Sequence, residues 1–223
     1  METKITNNYF KFETNKFFRG NAHNARIGAF GKKKDPIGAK SYLDVENNVS
    51  PEYLESRVKY NTTAEVNWNQ ANKADVKADR VVKYFGIGGE VAMNGSYEKA
   101  KSANLKLMSF AIDEGPLKSM LNKDANGVRK YLASEGNDGR IVSEVWVLVE
   151  GEIAETFSTA ASISVSGKVP GKALDINANG GKNGTQTIKL DGGTFAYRLS
   201  KVKDWNKGKT EIRDMETDFH GLD

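Results

Sequence analysis

Residues 141–165 constrain the fold more than any other stretch of this chain. The odd positions carry Ile141, Val145, Val147, Val149, Ile153, Phe157, Ala161, Ile163 and Val165, and from Ser158 onward the even positions are mostly Ser and Ala. Side chains alternate between the two faces of a strand, so a period of two held this far beyond the usual length of about 5 or 6 residues predicts a very long β-ribbon. At roughly 3.3 Å per residue it would outrun one face of a small sandwich, so it either bends at Gly151 or projects from the core. Residues 142–149 are apolar on nearly both faces, the pattern of a buried central strand. Residues 153–165 are apolar on one face and small and hydroxylated on the other. That composition suits a half-exposed antiparallel strand, and also a strand with lipid on one side and water on the other.

Other segments repeat the alternation. Val58, Tyr60, Thr62, Ala64, Val66 and Trp68 form one such series. Val81, Phe85, Ile87, Val91 and Met93 form another, in which Gly86, Gly88 and Gly89 allow a bend or bulge. Residues 105–112 read as the next strand. Leu174, Ile176 and Ala178 begin a strand that resumes at Ile188 and Leu190 after an Asn/Gly-rich tip over 175–180, and 195–202 is the last clear strand. Helical signals are fewer. Ser50 and Pro51 open a short helix, while Asp113 and Pro116 open a longer one whose Leu117, Met120, Leu121, Val128, Tyr131 and Leu132 share a face. Asn126-Gly127 breaks that helix and Gly136 stops it. The expected fold is therefore α+β, a long, twisted, mainly antiparallel sheet with amphipathic helices packed on it and extended β-hairpins. It forms a single β-rich domain over 1–223, with a basic, aromatic segment at 1–50 and a charged tail at 204–223 that is expected to fray.

Composition removes several function classes. Zero cysteines exclude disulfides, thiolate metal sites and a cysteine nucleophile, and the two histidines, His23 and His220, stand at opposite ends of the chain. No stretch approaches the roughly 18 apolar residues of a membrane helix and no signal-peptide core opens the chain, so a cytoplasmic protein, soluble at rest, is expected. Residues 175–180 imitate the opening of a calcium loop, but Gln186 stands where a bidentate Glu belongs, so no metal is assigned. Gly86-Ile87-Gly88-Gly89 lacks the final glycine, the following helix and the acidic partner of a dinucleotide fingerprint. No cofactor follows. Glu144, Glu150, Glu152 and Glu155 have no acid/base partner in the pattern, so the chain does not read as an enzyme.

Charge is uneven. Residues 1–40 hold nine Lys/Arg against three Asp/Glu, whereas the whole chain carries only +4. The basic residues are interleaved with Tyr9, Phe10, Phe12, Phe17, Phe18 and Phe30. Such a segment points to an anionic partner, lipid headgroup or phosphodiester, or else sends its aromatics to the core and its lysines to water. No nucleic-acid-binding pattern accompanies it, so nucleic acid is not favoured.

From about Tyr84 onward the order of pieces resembles the pore-forming domain of gasdermins, including the short fungal and bacterial members. The resemblance lies in the strand pair 81–93 and 104–112, joined by a charged connection, and in the helix start Asp113-Glu114-Gly115-Pro116-Leu117. It continues in the apolar strand 141–149 running into a long amphipathic segment. Its most specific part is Thr187-Ile188-Lys189-Leu190-Asp191-Gly192-Gly193-Thr194-Phe195-Ala196-Tyr197-Arg198-Leu199, similar to the family's late strand, glycine turn and Ala-aromatic-basic strand. The first 80 residues do not match the family's opening helix and basic hairpin. The N-terminal cysteine of many bacterial members is missing, and the chain stops where a pore domain would, without an inhibitory C-terminal domain. Control is then expected from a partner, an N-terminal segment or assembly itself.

The resemblance implies a pore-forming protein that permeabilises membranes and causes cell death. It implies that 81–112 and 153–190 refold into amphipathic hairpins, with Val81, Phe85, Ile87, Val91, Met93, Leu105, Leu107, Ile153, Phe157, Ala161, Ile163, Val165, Leu174, Ile176, Ile188 and Leu190 toward lipid. Because every backbone polar group must be paired in lipid, such hairpins span only as a closed barrel of many subunits. Arg19, Arg26, Lys32, Lys33 and Lys34 would draw the chain to an acidic phospholipid membrane at about 1 kcal/mol per charge. The partners implied are that membrane and a homo-oligomer or a closely related subunit. The alternative is a non-enzymatic structural subunit that self-assembles by pairing long β-arms edge to edge.

Overall fold

The structure is a computed structural model, and it describes residues 2–71, 84–86, 89–91, 104–166, 174–181, 184–190 and 193–222. Strands β1 (Thr3–Ile5), β2 (Tyr9–Phe12), β3 (Asn15–Phe18), β4 (Ala29–Lys34) and β5 (Tyr42–Asn48) precede the short helix α1 (Pro51–Leu54). Strands β6 (Lys59–Glu65), β7 (Tyr84–Gly86), β8 (Gly89–Val91) and β9 (Leu105–Ala111) lead to helices α2 (Glu114–Lys123) and α3 (Asn126–Glu135). Strand β10 (Gly139–Glu150) runs into helix α4 (Gly151–Ser158), and β11 (Ser162–Ser166), β12 (Leu174–Gly181), β13 (Gly184–Leu190), β14 (Thr194–Trp205) and β15 (Ile212–Asp218) follow. The fold is α+β, a large antiparallel sheet with a few helices.

The strand apolar on both faces is the spine. Every residue of β10 except Glu150 is buried. One edge of β10 pairs with β14, from Ile141 opposite Ser200 to Val147 opposite Thr194. Its other edge is shared, the beginning by β4 (Ile141 opposite Phe30) and the end by β9 (Leu148 opposite Leu107). Between them the amides of Gly28 and Ile112 donate to the carbonyls of Val142 and Ser143 at 3.0 and 2.8 Å. A strand with both faces dry leaves no backbone group to water, and these two amides answer carbonyls in the gap between β4 and β9.

The faces of β10 bury different cores. Ile141, Val145, Val147 and Val149 face the larger one with α2, α3 and α4. Trp146 and Leu148 face a second, covered by the N-terminal strands through Ile5, Phe10, Phe12 and Phe17. Phe10 and Phe17 meet the Trp146 ring edge-on at 5.0 and 5.4 Å, a geometry that aromatic quadrupoles favour. The aromatics of the first segment therefore go to the core. One ten-stranded sheet holds β1–β6, β9, β10, β14 and β15, and a separate five-stranded sheet runs β11-β12-β13-β7-β8.

Several expectations are corrected. The stretch 141–165 is no continuous ribbon but strand, helix and strand, because Ile153 and Phe157, four residues apart, satisfy a helical stripe as well as a period of two. Ala154 and Thr156, buried at even positions, show the helical period winning. The strands at 84–91 and 105–111 do not pair with each other. β7 and β8 pair antiparallel in the smaller sheet, whereas β9 joins β6 and β10 in the larger one and buries Leu105 and Leu107. Residues 175–180 are strand rather than tip, for β12 continues to Gly181. The tail does not fray, since β15 pairs along β14 from Leu199 opposite Asp218 to Trp205 opposite Ile212. Val81, Ile87 and Met93 lie outside the described residues.

Trp146 has no exposed surface, and its indole N–H has no hydrogen-bond partner. Trp146→Ala is expected to cost about 3–5 kcal/mol in urea unfolding. Trp146→Phe keeps a ring and removes the orphaned donor, so its cost should stay under about 1.5 kcal/mol.

Candidate functional site

The second sheet is two-faced from its sequence upward. Its register sets Val165, Ile176 and Ile188 in one row and Ser164, Asn177 and Thr187 in the next. Val165, Leu174, Ile176, Ala178, Ile188 and Leu190 are all buried on one face. On the other, the Thr187 hydroxyl donates to Asn177 Oδ1 at 2.6 Å and Asn177 Nδ2 to the Ser166 hydroxyl at 3.2 Å. The two separate stretches expected to reach lipid meet here, because β13 pairs with β7, Thr187 opposite Phe85 and Ile188 opposite Tyr84.

Helix α4 sits on the apolar face, between this sheet and strands β6, β9 and β10. It buries Ile153, Ala154, Thr156 and Phe157 and exposes Glu152, Glu155 and Ser158. The Phe157 ring meets Phe110 edge-on at 5.6 Å. The approach to β12 is close at one point, where a Cβ on Gly181 would stand 2.4 Å from the Thr156 carbonyl oxygen. An isolated helix of this length does not persist in water, so α4 depends on these contacts. On its β6/β9 side a cleft of about 390 Å³, lined by Thr63, Glu65, Lys106, Ala154, Glu155 and Ser158 among others, leaves one flank open. Of the sequence-assigned lipid-facing residues on these elements, Ala161 is exposed and Ile163 half-buried on β11 or its approach, and the rest with described side chains are buried.

The basic residues assigned to lipid are placed differently from expectation. Lys33 is buried, with Nζ 2.9 Å from Asp218 and donating to the His220 carbonyl at 2.6 Å. Arg19 is buried too, its guanidinium 4.4 Å from the Phe195 ring centre and donating to the Thr6 carbonyl at 2.7 Å. These two are internal ties, because a charge inside this fold must be paired. Lys32 reaches Glu135 and Asp138 at 3.5 and 3.3 Å, and Lys34 lies 3.9 Å from Asp44. Arg26 is half-buried. Sequence reading had no means of finding the acids, which come from α3, β5, β15 and the turn after α3.

Sequence reading also missed Ile37 and Phe219, the exposed large hydrophobics among the described residues. Ile37 lies in the β4–β5 connection and Phe219 just after β15. Their segments adjoin through Lys33 and through His220 Nδ1, 3.7 Å from Asp35.

Asp218 ties the last strand to this end of the sheet. Burial alone would push its carboxyl up, but hydrogen bonds and charge from Arg140, at 2.8 Å, and Lys33 outweigh that and hold it below the usual carboxylate range. A lowered value in the fold contributes stability that is present above the unfolded value, about 3.9, and is lost as pH falls through the folded one. Protection factors of β15 amides, taken relative to the intrinsic exchange rate at each pH, are thus expected to fall in acid. Asp218→Asn should weaken protection at neutral pH and remove that part of the pH dependence.

Among the described residues no helix is long and apolar enough to cross a membrane. No protein-family model, no curated protein and no solved structure matches the chain.

Proposed function

We propose that this chain is a pore-forming protein, as its resemblance to gasdermin pore-forming domains implies, and that the five-stranded sheet is its membrane-active part. The observation that carries the reading is an amphipathic sheet whose apolar face is covered over β12 and β13 by one eight-residue helix on the same stretch of chain, with the short α1 against β11. Residues 153–165 keep a strand period through that helix. If α4 lets go, Ile153, Phe157, Ile163 and Val165 can line up on one face and lengthen β11 back toward β10. The uncovered face then has lipid, or the matching sheet of another copy, to bury it. Closure of many copies into a barrel satisfies every backbone group at the bilayer core. Ile37 and Phe219 supply an apolar contact for the interfacial layer, and this replaces the buried Arg19 and Lys33 as the first point of attachment.

A second reading draws on β11. Its sequence, Ser-Ile-Ser-Val-Ser, carries no charge and no proline, and among the described residues only β12 pairs with it. Such an edge is open to strand addition, which favours lipid-free self-assembly. Ordered particles by light scattering in plain buffer, with vesicles neither bound nor permeabilised, would select this alternative.

The folded chain is expected to release a trapped dye from phosphatidylserine-containing vesicles and to form a high-mass species on them. Phe157→Ala, which loosens α4, should accelerate release several-fold while the chain remains folded. Ile37→Asp combined with Phe219→Asp should abolish binding. Absence of both binding and leakage with folded protein overturns the proposal.

A further inference from the structure

Two irregularities of the larger sheet open onto the same space. Ser143 is the extra residue of β10 where its register with β14 shifts between Val142 and Glu144. Asn61 is the extra residue of β6 where its register with β9 shifts between Tyr60 and Thr62. Bulges re-aim side chains and gather beside functional sites. Both residues line a cleft of about 250 Å³, together with Glu144, Arg198, Ser200 and Asp113.

At its floor lies a carboxylate with an incomplete set of partners. Glu144 is only 1% exposed. Asn61 Nδ2 donates to its Oε1 at 3.1 Å. Arg198 Nη1 is 3.1 Å from Oε2, yet Oε2 is buried and accepts no hydrogen bond, and Arg198 Nε is likewise without an acceptor. The guanidinium is held over the Phe17 ring, 4.9 Å from its centre. Nearby the Ser200 hydroxyl donates to the Ser143 hydroxyl at 2.8 Å, with both residues buried. Exposed Asp113 and Glu114 stand at the mouth, and Lys59 pairs with Asp113 at 2.6 Å. The charged groups are thus the carboxylates of Glu144, Asp113 and Glu114 against Arg198 and Lys59, an excess of acid. Burial pushes the Glu144 carboxyl up, and Arg198, Asn61 and Ser109 draw it back without cancelling that effect.

A cation bearing N–H donors supplies both the missing hydrogen bond and the missing charge. A divalent metal fits poorly, because it requires several oxygen ligands at set distances, and no group of three metal-ligating side chains occurs among the described residues. We infer that this bulge-lined cleft binds a small organic cation, a protonated primary amine seated on Glu144 with Asp113 and Glu114 at its mouth. The inference is independent of the membrane role of the second sheet.

The test is isothermal titration calorimetry of the folded chain with 1,4-diaminobutane, and with 1-butanol as the neutral comparator. Saturable binding of the diamine and none of the alcohol is expected. Because the Glu144 carboxyl titrates above its ordinary value, protons compete with the ligand in mild acid, so binding should be tighter near about pH 8 than near about pH 5. Glu144→Gln should weaken it by at least about tenfold, and Asp113→Asn by a few-fold. If circular dichroism shows Glu144→Gln unfolded, Asp113→Asn and Ser200→Ala decide, and both should reduce affinity. Absence of saturation, equal binding of the alcohol, or affinity unchanged in the folded variants overturns the assignment.

Discussion

The pairing of β10 is the constraint from which the rest of the structure follows. A strand of twelve residues with both faces dry would carry a heavy desolvation cost at any unpaired backbone group. No single neighbour covers its second edge, so β4 takes the beginning, β9 takes the end, and two loop amides fill the step between them. That division separates the N-terminal hairpins from β6 and β9 and leaves a fork in the sheet. The bulge at Ser143 lies at this fork, beside the buried Glu144, while the other buried charge of the strand, Arg140, sits at its beginning against Asp218.

Downstream of β10 the same chain meets two competing solutions. Ile153 and Phe157 can bury on a helix or on a strand, since a spacing of four residues is common to both periods. In the monomer the space between β6/β9 and β12/β13 accepts a helix, which buries Ala154 and Thr156 together with Ile153 and Phe157. Gly181 is part of that fit, because its missing Cβ admits the Thr156 carbonyl.

The basic N-terminal segment illustrates how local charge misleads when partners are remote in sequence. Lys33 is separated from Asp218 by most of the chain, yet the two meet beside Arg140 with almost no solvent. Lys32 and Lys34 have acids within reach as well. Of the positive charge read from the first 40 residues, the Lys32-Lys33-Lys34 run is thus met by acids, Lys33 in the interior and its two neighbours at the surface, and Ile37 and Phe219 stand exposed at this end. A buried charge pair is costly unless fully hydrogen-bonded. The His220 carbonyl and the Asn137 carbonyl, which accepts from Arg140 at 2.5 Å, complete this one.

By itself the sequence determined what short-range periodicity can carry. The fold class, the buried strand at 142–149, the helix starting after Asp113, the strand around 105–111 and the late strand through Tyr197 all follow from alternation, caps and turn residues, whereas the helix break falls at Asp124–Ala125 and leaves Asn126-Gly127 in the first turn of α3. Those signals arise within a few residues, so they survive without knowledge of the neighbours. Tertiary structure alone decided the helix at Ile153 and Phe157, the ordered last strand, and which sheet each hairpin joins. It also decided the convergence of Asn61, Glu144 and Arg198 on one cleft. In each case the deciding term is burial against a surface built by residues far away in the chain, and spacing along a single segment contains no record of that surface.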